Sequence, residues 1–121
     1  MDYLTPEMIL LLALIGTAAG INYTPIPAIP QGTINCIVGE PYRYWTQAVD
    51  FEGDQFRYEF DWNDGTRTIT DFKPSGKVIS ETHTWKSAGT FWIRTRTIDV
   101  AGKVSDWSGC RAIYAKYKNR T

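Results

Sequence analysis

Histidine occurs once in this chain of 121 residues, at His83, and cysteine only twice, at Cys36 and Cys110. A lone histidine with no Ser-His-acid or Cys-His motif around it leaves nucleophilic catalysis without its machinery. Two cysteines without a CxxC spacing do not make a metal cluster. Net charge is missing too, since 13 basic side chains balance 13 acidic ones. Neither nucleic acid nor an acidic membrane surface is therefore expected as the main partner. Charge of either sign is absent between Glu7 and Glu40. The length allows one domain and a short appendage, not two domains.

What remains is rich in rings: aromatics make up 14% of the residues, with five Trp and seven Tyr. That is enough for a real core with some rings left at the surface. The two cysteines lie near opposite ends of the ring-rich region. The simplest expectation is one disulfide between Cys36 and Cys110, the alternative being two buried free thiols. Closing so long a loop would stabilise the fold by about 4 kcal/mol on the chain-entropy model and would imply an oxidising compartment.

The uncharged stretch begins with Met8-Ile-Leu-Leu-Leu-Ala-Leu-Ile15 and continues through Gly16-Thr17-Ala18-Ala19-Gly20. Thr5 can cap the first amides of a helix, Pro6 suits its first turn, and Glu7 suits its positive end. These signals predict a helix over Pro6–Ala19, ended by Gly20 and Asn22. Three uses compete for it. A secretory signal has such an apolar core, but the first seven residues are acidic and lack a basic leader. A membrane span needs about 20 apolar residues, more than the strongly apolar core supplies. A packing helix fits best, presenting Met8, Leu11, Leu12 and Ile15, with Gly16 and Gly20 in the GxxxG spacing that lets helices approach closely. Partners for it are copies of itself or membrane lipid, because an apolar helix on a soluble domain must be buried somewhere.

Beyond Pro25-Ile-Pro-Ala-Ile-Pro30, an extended stretch that reads as a stiff spacer or an edge strand, the pattern becomes one of short strands. They are expected near Thr33–Val38, Tyr42–Val49, Gln55–Asp61, Thr66–Thr70, Val78–Trp85, Thr90–Ile98 and Arg111–Lys116, with turn clusters between them. Phe56, Tyr58 and Phe60 alternate with Arg57 and Glu59, so one face turns inward and the other to solvent. Asn63-Asp64-Gly65 between two such runs is a turn signal.

From Pro25 to Tyr117 this series resembles the PKD domain, an immunoglobulin-like β-sandwich of extracellular proteins. The motifs that carry the resemblance are Val38-Gly-Glu40 before a Tyr-x-Tyr strand, Asp50-Phe-Glu-Gly-Asp54, Asp61-Trp-Asn-Asp-Gly-Thr66, His83-Thr-Trp85, Ala88-Gly-Thr-Phe91 and Asp99-Val-Ala-Gly102. Asn63 stands where many members have Gly, and Trp85 where many have Tyr. The resemblance implies an all-β, antiparallel sandwich over residues 25–121, preceded by the apolar helix and linker of residues 1–24. It implies a structural His83 packed against the Asp-Gly turn, and a spacer, adhesion module or structural subunit rather than an enzyme. The layout of apolar helix and β-domain also resembles type IV pilin-like subunits. The expected role is thus a surface filament subunit polymerising through its helix, the alternative being a membrane-anchored binding module.

Few residues are candidates for a site. Trp92, Arg94 and Arg96 point the same way on one strand, and Arg57 on a neighbour can join them; Trp beside Arg suits carbohydrate, acidic polymers or another protein. Trp45 and Trp107 are further exposed-ring candidates. Asp50, Glu52 and Asp54 in one loop, with Asp99 in another at the same end, could offer calcium its hard oxygens, although solvated turn carboxylates are the plainer reading. Asn22-Tyr-Thr and Asn119-Arg-Thr are N-glycosylation sequons and favour an extracellular, cell-surface location.

Overall fold

Period-two alternation needs two sheets to close over it, and the computed structural model, which describes residues 24–119, has them. The strands are β1 (Gln31–Gly32), β2 (Asn35–Ile37), β3 (Tyr42–Thr46), β4 (Phe56–Asp61), β5 (Arg67–Ile69), β6 (Ile79–His83), β7 (Gly89–Asp99) and β8 (Arg111–Lys116). One sheet runs β1-β3-β6 and the other β2-β8-β7-β4-β5. Every expected strand is present within a few residues of its place. The expected helix over Pro6–Ala19, with Met8, Leu11, Leu12, Ile15, Gly16 and Gly20, lies outside the described residues, as does Asn22.

The expectation of a wholly antiparallel sandwich needs correction. Strands β2 and β8 pair in parallel, with Cys36 opposite Ala115. The strand foreseen at Thr33–Val38 is Asn35–Ile37, which pairs with β8 in the larger sheet, and a further short strand just before it, Gln31–Gly32, pairs with β3 in the smaller. The chain changes sheet at Thr33 and Ile34. Because almost the whole domain intervenes between β2 and β8, no hairpin constrains them and parallel pairing is available. Gly32 is required at the crossing, where a Cβ would lie 2.4 Å from the Tyr44 ring.

Tyr44, Phe56, Tyr58, Phe60, Ile93 and Ile113 fill the space between the sheets, closed at one end by Trp62 and Trp85. Trp62 stacks on Phe60, and Trp85 meets Trp62 and Tyr44 edge-on, geometries favoured by the ring quadrupoles. The Tyr58 hydroxyl oxygen accepts from the Ala48 amide, and burial pushes its pKa up to about 12.

The proline-rich stretch is neither spacer nor regular strand. Pro27 and Pro30 are buried, and the segment straps the core. Prolines donate nothing to a ladder, but their neighbours' carbonyls still accept. Thr95 and Thr46 donate to the Ala28 carbonyl, and Thr97 donates to that of Pro25. This is why the inward positions of the far half of β7 are threonines rather than aliphatics.

The expected disulfide is also corrected, since Cys36 is a buried free thiol and Cys110 an exposed one. Cys36 is level with Ala115, and Cys110 stands five positions before Ala115. At 3.3 Å per residue that is about 16 Å of strand, beyond the span of a disulfide. Cys36 instead lies 3.2 Å from the Tyr44 hydroxyl and donates to the Thr33 carbonyl. Desolvation raises its pKa, only partly offset by the Tyr44 bond.

Candidate functional site

The outward face of the larger sheet carries Trp92, Arg94 and Arg96 of the expected site residues. In the antiparallel register Asp61 faces Arg94 and Glu59 faces Arg96, while Asp61 faces Arg67 on the other side. Arg96 Nε binds Glu59 Oε1 at 2.8 Å, Arg67 Nη1 binds Glu59 Oε2 at 3.0 Å, and Arg94 Nε binds Asp61 Oδ2 at 3.2 Å. Glu59 points to the solvent side of the sheet, yet its side chain is only 7% exposed because two guanidinium groups cover it.

Trp107 completes the cover. Its ring centroid is 4.2 Å from the Arg94 guanidinium carbon, 4.3 Å from that of Arg96 and 5.3 Å from that of Arg67. The loop is placed by two serines. Ser105 and Ser108 donate their amides to the carbonyls of Thr97 and Thr95 and accept the amides of those threonines on their hydroxyls. The hydroxyls thus stand in for backbone carbonyls, and the two residues between them are carried over the face. Arg94 and Arg96 point together as expected, but they are held in ion pairs beneath a ring. Arg57 does not join them; it faces Ile98 in the register and lies 4.5 Å from the Phe72 ring. Trp45 sits on the smaller sheet between Gln31 and Ser80. Glu59, Arg67 and Tyr114 were not among the expected site residues, although Glu59 alternates with buried Tyr58 and Phe60 and Tyr114 with buried Ile113 and Ala115.

Trp92 remains open, two residues before Arg94. Its amide donates to the Asn63 side chain at 3.0 Å, tying β7 to the Asn-Asp-Gly turn. Asn63 has φ 63° and Gly65 φ 89°, the left-handed region that asparagine tolerates and glycine adopts freely.

His83 closes the turn. Its Nε2 lies 2.7 Å from Asp64 Oδ2, and its ring lies flat on Trp62 with centroids 4.5 Å apart. Burial pushes the Asp64 carboxyl up, but the Thr66 hydroxyl, His83 and the Thr66 amide together hold it below its ordinary value. The sole histidine is thereby engaged in packing.

The acidic loop is only partly assembled. Carboxylate oxygens of Asp50, Glu52 and Asp54 come within 4.8 Å of one another, without Asp99. Asp99 accepts the amides of Ala101 and Lys103 and the hydroxyl of Thr24. Asp50 Oδ1 also accepts the Glu52 amide at 2.8 Å, as a turn carboxylate does. Asn119 is exposed just past β8; Arg120 and Thr121 of its sequon lie outside the described residues.

Two packed sheets, with the chain crossing from one to the other between β1 and β2, make a sandwich of immunoglobulin-like kind. No family model matches the chain and no curated protein matches it. Among solved structures, the PKD domain of an M14-like peptidase from the Thermoplasmatales archaeon SCGC AB-540-F20 is 28% identical, with a TM-score of 0.72 over 78% of this chain and 98% of that one. The described residues therefore have a PKD-like β fold.

Proposed function

We propose that this chain is a non-enzymatic, surface-displayed module that spaces or binds rather than catalyses. The observation that carries this reading is the likeness to a peptidase's PKD domain over nearly all of that domain's length. The engagement of the sole histidine in a turn, against Trp62 and Asp64, agrees with it. Attachment falls to the apolar run Met8–Ile15, with self-association favoured over lipid because Gly16 and Gly20 permit close approach. On that reading the sandwich coats a surface filament.

The test is sedimentation and negative-stain electron microscopy of the full chain, with and without detergent. Fibres formed without detergent support the filament, and particles that disperse only in detergent support a lipid anchor. A freely soluble monomer without detergent overturns attachment through residues 8–20.

A further inference from the structure

The near half of β7 and the whole of β8 present a surface unlike the rest of the sheet. Its outward positions are Thr90, Trp92 and Arg94 on β7 and Ala112, Tyr114 and Lys116 on β8. Trp92 is 54% exposed and Tyr114 43%. The register sets Trp92 opposite Ala112 and Tyr114 opposite Thr90, so the rings are diagonal neighbours with backbones about 7–8 Å apart. Small partners beside each ring leave both standing above a flat floor. The segment that covers the far half of β7 meets the strand at Thr95 and Thr97 instead.

Cations stand at both ends of this floor, one of them, Arg94, also paired with Asp61 on the next strand. Lys116 lies beyond Tyr114 and Arg94 beyond Trp92, bracketing the rings, and none of the six outward positions is acidic. Arg94 reaches Asp61 through Nε, which leaves its terminal nitrogens for a ligand. Asn35 and Thr90 flank Tyr114 on neighbouring strands and can bond hydroxyl groups. In a chain with no net charge, a cation-bracketed aromatic floor is a local feature. Aromatic faces stack on flat rings and cations hold carboxylates. Nucleic acid would ask for more cations than the strip offers.

Building on the reading of the chain as a surface-displayed module, we infer that this strip binds an acidic polysaccharide. Two neighbouring uronate rings lie on Trp92 and Tyr114, with their carboxylates toward Arg94 and Lys116. The ligand chemistry is a polyuronate, whichever surface supplies it.

The experiment is affinity electrophoresis of the full chain through polygalacturonate and alginate, with fully methyl-esterified polygalacturonate as the uncharged counterpart. Retention is expected on at least one polyuronate, weakened at least tenfold by Trp92→Ala and several-fold by Tyr114→Ala or Lys116→Gln, and weakened again by salt. Unchanged thermal unfolding of these exposed-site variants separates lost binding from lost folding. No retention on either polyuronate, or retention indifferent to Trp92→Ala, overturns the inference. Equal, Trp92-dependent retention on the methyl ester also overturns it, while leaving the module a binder of neutral sugar. Release of reducing ends from the polymer would instead defeat the non-enzymatic reading, whatever the retention.

Discussion

Between Gly89 and Ile93 strand β7 lies against β8, whereas at Thr95 and Thr97 the same edge is taken by Ser108 and Ser105. The outward side chains of the two stretches have opposite fates. Trp92 stands open, while Arg94 and Arg96 are paired to Asp61 and Glu59 and covered by Trp107. A run reading Trp-x-Arg-x-Arg thus contains two surfaces, one available to a partner and one turned into structure, with Arg94 at the border, its Nε bound to Asp61 and its terminal nitrogens left for the open half. The neighbouring segment decides which, because a regular strand leaves outward side chains free and a serine-anchored loop lays a ring over them.

The comparison breaks most visibly at Glu59. Glu59→Ala removes the nearly buried carboxylate that holds both Arg67 and Arg96. It should cost about 2–3 kcal/mol in urea unfolding, since two charge-assisted bonds are lost and the cations are left beneath Trp107. A loss within 0.5 kcal/mol, the range of ordinary surface substitutions, would place the covered half with ordinary surface.

A smaller effect sharpens the comparison at the turn that ties Trp92 to the fold. The folded Asp64 carboxyl titrates below its unfolded value. Its contribution is therefore fully present above the unfolded carboxylate pKa of about 3.9 and is lost as pH falls through the lower folded value. Urea midpoints taken from pH 5 down to pH 2 should fall more steeply in the parent than in Asp64→Asn, and the difference should be confined to the acid limb. Parallel curves would show that the Asp64 pair with His83 and Thr66 contributes nothing pH-dependent to the turn.

The sequence made the open half more legible than the covered one. Alternation in Phe56–Asp61 and along β7 identified the inward and outward faces, and Asn63-Asp64-Gly65 with His83 marked the turn that the structure builds around Trp62. Local signals of this kind survive folding because they are satisfied within a strand or a turn. The covered half depended on what lies beside it. Nothing near Trp107 in the chain announces that Ser105 and Ser108 will bond β7 as a strand would, and nothing near Glu59 announces that two arginines will bury it. The Cys36–Cys110 expectation failed for a related reason, since the pairing register of β2 with β8, set over nearly the whole domain, separates the two thiols. The proline strap was ambiguous because its partners, Thr46, Thr95 and Thr97, lie on distant strands.

Urea unfolding of Trp92→Ala beside Trp107→Ala tests the division of β7 most directly. Trp107→Ala should lower stability by about 1–2 kcal/mol through the lost cation–π contacts with Arg67, Arg94 and Arg96, and Trp92→Ala by no more than about 0.5 kcal/mol, the range of an ordinary surface change. Equal losses, or a larger loss at Trp92, would contradict the account of one strand with a structural half and an available half.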